Sequence, residues 1–277
     1  MACRSRATAA IAACAMLLGA CSTPTAPGAD VDADADAVQV YAAGSLRPAL
    51  TEIAREHQAR TGQKVALTFG ASGLLRERIE KGAPAQLFAS ANTAHPERLA
   101  AGAGWQAPVV FARNTLCALG SEKIDATPDT LLATLLRSDV RVGTSTPRAD
   151  PSGDYAWEFF RRADALRPGA YALLDAKALK LTGGADSPTP PAGRNAYLWL
   201  MEQDRADVLL TYCTNAVAAR AERPRLRVLP LPPALQVGAA YAMTLRQGAA
   251  PAAQAFALAL RQPAAQAALQ RLGFELP

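Results

Sequence analysis

The chain has 277 residues, half of them hydrophobic and 6% aromatic, with 29 basic and 24 acidic side chains and a formal net charge of +5. The basic residues are scattered rather than clustered with aromatics, which argues against a nucleic-acid-binding surface. With only two histidines and no CxxC pair, a structural or catalytic zinc site is not expected either.

The first twenty residues are laid out like a secretory leader, with Arg4 and Arg6, an apolar run over 9–18, and Leu18-Gly19-Ala20 before Cys21. The apolar run falls short of the about 20 residues that cross a bilayer. A cysteine after Leu-Gly-Ala resembles a bacterial lipobox, in which Cys21 would become the lipidated first residue of the mature chain. An ordinary signal peptide with a chance cysteine is the alternative. Residues 22–37 alternate Asp with Ala and contain one large apolar residue, Val31, so 21–37 reads as a solvated acidic tether. Cleavage would remove two arginines, taking the charge to +3, and setting aside Asp30, Asp32, Asp34 and Asp36 leaves a body near +7. A mildly cationic body favours anionic ligands.

From residue 38 strands and helices alternate over short connections. A continuous apolar run at 38–43 reads as a strand. The helix expected over 46–60 has Pro48 in its first turn and Leu50, Ile53, Ala54 and His57 at helical spacing. A strand at 64–69, a helix at 74–81 and a strand at 87–91 follow. The two strand-to-helix turns, AAGSL ending at Leu46 and FGASGLL ending at Leu75, each carry one serine among small residues. Such a turn can hold an anion: helix-start N–H groups point outward, the serine adds a hydroxyl, and Gly and Ala allow close approach. Ser45 and Ser72 could equally be plain helix caps worth about 1 kcal/mol.

An extended run at 109–119, interrupted at Arg113-Asn114, reads as a crossing into a second unit. There a helix is expected at 127–137, a strand at 141–146, a helix at 152–162, a strand at 178–182, a helix at 194–203 and a strand at 207–212. The Pro-rich stretch 229–235 marks the return, followed by a strand within 237–245 and two Ala-rich helices split by Pro263. The fold class is therefore α/β with two lobes: 38–112 with 236–277, and 113–235, joined by a two-segment hinge, each a mostly parallel sheet flanked by helices. Ligands of such sheets bind at the carboxyl ends of the strands. With Cys21 acylated, Cys117 and Cys213 remain, either as a disulfide or as two buried thiols.

Several strings resemble the periplasmic molybdate-binding proteins of ABC import systems: VYAAGSLRPAL, FGASGLLRERIEKGAPAQLFASA, PSGDYA, VLLTYCTNA and RQPAAQAALQRLGF. In that family uncharged donors hold a tetrahedral oxyanion. The resemblance implies ligands at Ser45, Ser72, the Ser152 backbone, Gly193 and Tyr212. Arg194 is a further candidate, weighed against an ordinary surface arginine at a helix start. Tyr212-Cys213-Thr214-Asn215 stands where the family has Tyr-Gly-Ser-Asp, Gly70-Ala71-Ser72-Gly73 where it has a serine-rich turn, and 183–193 is unusually rich in Pro and Gly.

The resulting expectation is a monomeric periplasmic lipoprotein, anchored preferentially to the outer membrane. It would capture molybdate or tungstate between two lobes and deliver it to an ABC permease, with no cofactor and no catalysis. A different oxyanion or a small organic anion in the same fold is the alternative. A serine hydrolase on Ser45 or Ser72 lacks both a GxSxG elbow and an identifiable histidine partner.

Overall fold

The computed structural model describes residues 36–191 and 193–277. The expected leader, Cys21 and most of the tether lie outside the described residues. The end of the expected tether already belongs to the body, since Ala37 is buried and the Gln63 side-chain amide donates to the Asp36 carbonyl.

Strand β1 (Val38–Ala43) is buried along nearly its whole length, as a continuous apolar run requires, and lies between β2 (Val65–Gly70) and β3 (Leu87–Ser90), parallel to both. Helix α1 (Arg47–Thr61) packs its Leu50, Ile53, Ala54 and His57 face inward and stops at Gly62, whose left-handed φ of 75° suits glycine at a helix end. Helices α2 (Ser72–Glu80) and α3 (Ala94–Ala101) complete this half, α3 being an element the sequence pattern did not announce.

Strand β4 (Val109–Gly120) runs unbroken through Arg113-Asn114 and joins the two halves. Its first part pairs antiparallel with β9 (Gly238–Leu245), and its last five residues pair with β7 (Val208–Tyr212). The described strands form one sheet in the order β2-β1-β3-β9-β4-β7-β5-β6, with β5 (Val142–Ser145) and β6 (Leu179–Thr182), while β8 (Arg227–Pro230) pairs with β4 to the side. The sheet is parallel at both flanks and antiparallel where the crossing strands β9 and β4 meet their neighbours.

Helix α4 (Leu131–Leu136) is shorter than the expected 127–137, because Thr127 and Thr130 bond to each other and to local backbone in a turn. Helices α5 (Pro151–Leu166), α6 (Ala170–Lys177), α7 (Ala196–Glu202) and α8 (Cys213–Glu222) cover the second half. Helices α9 (Pro251–Ala259) and α10 (Pro263–Arg271) return to the first. One core gathers Leu50, Leu87, Tyr241 and Phe256, and another gathers Leu131, Phe159, Phe160 and Leu174. Each fully buried side chain of this size contributes about 1.5–3 kcal/mol. Cys117 and Cys213 form a disulfide between β4 and the start of α8, resolving the alternative left open by the sequence.

Candidate functional site

Between the halves lies a cleft of about 370 Å³, walled by the turns before α1 and α2 on one side and by the starts of α5, α7 and α8 on the other. Ser45, Ser72, Gly193, Arg194 and Tyr212 all line it. Ser152 does not.

Ser45 sits in the short 3-10 turn that carries β1 into α1, and its hydroxyl is 2.9 Å from the Tyr241 hydroxyl. Asn114 orders this contact: its Nδ2 donates to Thr214 Oγ1 at 2.9 Å and to Tyr241 Oη at 3.4 Å. The Tyr241 O–H, fully buried, has Ser45 Oγ within reach as its acceptor, and donation to it leaves the serine proton free for the cleft. Burial pushes the Tyr241 hydroxyl well above the ordinary tyrosine range, so it keeps its proton. Ser72 opens α2, is buried, and accepts the Ala91 N–H at 3.2 Å, which likewise leaves its proton to donate.

Two hydrogen bonds close the cleft across its halves. Gly73 N–H donates to the Ala149 carbonyl at 2.8 Å, and the Tyr212 hydroxyl donates to the Ala91 carbonyl at 3.2 Å. Gly73 is required for the first. A Cβ there would lie 2.7 Å from the Ala149 carbonyl oxygen and closer still to that of Arg148. Tyr212 is buried against Tyr155 and Tyr241, with ring centroids 6.2 and 5.4 Å away, so it donates to an anion only by surrendering the Ala91 bond.

On the second half the expected Ser152 contact needs correction. Asp150 caps α5, and its Oδ1 accepts the Ser152 N–H at 3.0 Å, so this donor is already taken within the chain. Ser152 itself is fully buried. Its neighbour Gly153 packs so closely on β5 that a Cβ would fall 2.6 Å from the Ser145 carbonyl oxygen. Asp150 instead faces the cleft, partly exposed, and burial among protein atoms raises its carboxyl to about 6. The Ser152 N–H and the Ser145 hydroxyl oppose that rise, and the charge of Asp154 reinforces it.

Gly193 is exposed with φ 77°, and the Arg194 N–H donates back to the Pro191 carbonyl in a turn before α7. The Arg194 guanidinium, on the cleft wall, is paired with Glu202. Asn195 caps α7 by accepting from the N–H groups of Tyr197 and Leu198. Sequence reasoning missed Asp150 as a wall residue, Asn195, and the cationic group at the mouth, Arg47, which stacks 4.4 Å from the Phe69 ring centroid. It also missed Tyr241 and Asn114, which belong to strands far from Ser45 in sequence. Only the Asx-Pro start of α5 and the Asn before α7 were visible as cap signals.

Residues 38–275 match the family described as bacterial extracellular solute-binding protein. The uncharacterized protein PM1146 of Pasteurella multocida is 38% identical over 207 residues, covering 74% of this chain and 86% of its own length. The molybdate-binding protein ModA of Escherichia coli is 27% identical over 199 residues, covering 68% of this chain and 70% of its own. Among solved structures, the periplasmic molybdate-binding protein of Azotobacter vinelandii superposes with a TM-score of 0.67 at 21% identity, covering 87% of this chain and 99% of its own. The periplasmic binding protein AfuA of Actinobacillus pleuropneumoniae, solved with fructose-6-phosphate bound, superposes at 0.65 with 11% identity, covering 87% and 84%. At these identities the structural likeness speaks for the fold alone. No helix among the described residues is long and apolar enough to cross a membrane. The family match across nearly the whole described chain makes this protein a member of the bacterial extracellular solute-binding proteins.

Proposed function

We propose that the chain is an extracytoplasmic solute-binding lipoprotein that captures a small anion in the interlobe cleft and passes it to an ABC importer. The observation that carries this reading is the convergence of two strand-to-helix turns, with Ser45 and Ser72, on one cleft in a body of net positive charge. Both hydroxyls have a proton to spare, and the helix starts beside them favour negative charge. The lobes are 38–112 with 236–277, and 113–235. Capture proceeds by hinge closure about β4 and the return segment before β9. The anion docks on the first-lobe donors, then the second lobe closes over it and excludes water.

The relatives named for molybdate make molybdate and tungstate the first candidates. A small organic anion is the second reading, favoured by size: a 370 Å³ cleft falls within the about 300–1,000 Å³ of small-molecule pockets, more than a bare tetrahedral ion fills. Calorimetric titration with molybdate, tungstate, sulfate and phosphate tests the assignment. Heat with the first two supports it; heat only with other anions transfers the assignment to them.

A further inference from the structure

We propose that Asp150 is a specificity-determining acceptor, which makes the cleft select an anion that also carries an O–H donor over one that presents only bare oxygens. The proposal rests on the anion-capture reading above and narrows its substrate class. Its basis is the occupation of the α5 start. The position where the first turn of a helix would receive an external anion is filled by the chain's own carboxylate, with Asp150 Oδ1 on the Ser152 N–H at 3.0 Å. The second lobe therefore offers the ligand an acceptor at this point instead of a donor.

Three features mark the carboxylate as more than a cap. Asp150 lies on the wall of the same cleft as Ser45, Ser72 and Tyr212, and its charge acts on the buried Tyr212 and Tyr241 hydroxyls. Its position is built in by a glycine: a Cβ on Gly183 would fall 2.5 Å from Asp150 Oδ2. Among the described residues no basic side chain forms an ion pair with it: Arg194 pairs with Glu202, and Arg47 is stacked on Phe69. The charged group that acts on it is another acid, Asp154. Asn or Ser would cap α5 as well without the charge.

A bare dianion held by Ser45 and Ser72 would face this carboxylate with like charge and no bridging proton, an arrangement that specific sites use to reject a ligand. An anion with a hydroxyl meets it as a hydrogen-bond acceptor. Two sources supply such an O–H, the protonated oxygen of the oxyanion itself or a hydroxyl elsewhere on an organic anion.

Matched probes separate them in calorimetric titrations at pH 8: hydrogen phosphate against sulfate for the first source, glycerol phosphate against ethyl phosphate for the second. The hydroxyl-bearing member of at least one pair is expected to bind about tenfold or more tighter, in the range of a hydrogen bond to a charged group. Asp150→Asn, which keeps the cap, should collapse that preference chiefly by tightening binding of the bare partner, and a cooperative melt at or above the wild-type temperature confirms that it folds. Gly183→Ala, which displaces the carboxyl, should reduce the preference in the same direction. Equal binding within both pairs, or a preference unchanged in Asp150→Asn, overturns the proposal while leaving anion capture intact. If no probe, molybdate or tungstate included, binds the wild type, the capture reading itself fails and the proposal falls with it.

Discussion

Gly73→Ala tests the closed cleft most sharply, since the substitution adds a single methyl group at the point where α2 meets the Arg148–Asp150 segment. The new Cβ would lie 2.7 Å from the Ala149 carbonyl oxygen and 3.0 Å from its Cα, with the Arg148 carbonyl nearer still. All three neighbours are backbone atoms, and Cβ contacts under 3.0 Å essentially do not occur, so the second half must retreat. The retreat lengthens the 2.8 Å bond from Gly73 N–H to Ala149. Losing that bond costs about 0.5–1.5 kcal/mol. Crowding a close-packed contact costs about 1–3 kcal/mol more. The closed state is thus disfavoured by about 1.5–4.5 kcal/mol, which weakens ligand affinity between about tenfold and about two-thousandfold. Local helix stability works the other way, because alanine replaces glycine inside α2 and gains about 1 kcal/mol. The assay is titration with the anion that binds the wild type most tightly, combined with small-angle scattering with and without ligand. The expected mutant binds weakly and stays extended at ligand concentrations that compact the wild type. Wild-type affinity together with wild-type compaction would refute the geometric argument.

Tyr241→Phe removes the donor that orders Ser45 and should weaken anion binding by about tenfold at unchanged fold, the scale of one hydrogen bond to a charged group; calorimetry reads the change. Reducing the Cys117–Cys213 disulfide, which closes a loop with a sequence separation of 96, should lower stability by up to about 4–5 kcal/mol in denaturant titrations run with and without reductant. Asp150 has a folded-state value of about 6 against 3.8 in the unfolded chain, so its ionisation is unfavourable in the folded state and opposes folding increasingly as pH rises from 3.8 through 6. Asp150→Asn should therefore melt several degrees above the wild type at pH 8, and this gain should disappear near pH 4. His95, lowered by burial to about 4 from 6.5, acts with the opposite sign: its neutral form supports folding fully above pH 6.5, and that support is lost as pH falls towards 4, which His95→Gln should abolish in pH-dependent melts.

The elements that carry the first-lobe turns were legible because their signals are local. A continuous apolar run such as Val38–Ala43, a helix with Pro48 in its first turn, and a serine between small residues are each signalled within a few positions. The helices α3, α6 and α8 were missed because they are short or follow a strand without a loop, as α8 follows Tyr212 directly. The second-lobe side of the site was harder to read for a different reason. Whether the Ser152 N–H meets a ligand or Asp150 depends on a side-chain rotamer, and whether Gly73 is a ligand turn or a lobe contact depends on where Ala149 arrives 76 positions later. Tyr241 and Asn114 reach Ser45 only through strand pairing in the sheet, with Tyr241 196 positions from it, which no local pattern encodes.

The central claim is that one anion is held jointly by the two serine turns. Calorimetric titration of Ser45→Ala, Ser72→Ala and the double variant, with the anion that binds the wild type most tightly, tests it directly. Each single variant should lose about 1.5–3 kcal/mol of binding free energy, the range for a hydrogen bond to a charged group, and the double variant should show no measurable heat while retaining a cooperative melt. Wild-type affinity in both single variants would reduce the two serines to internal partners of Tyr241 and the Ala91 N–H and contradict the account.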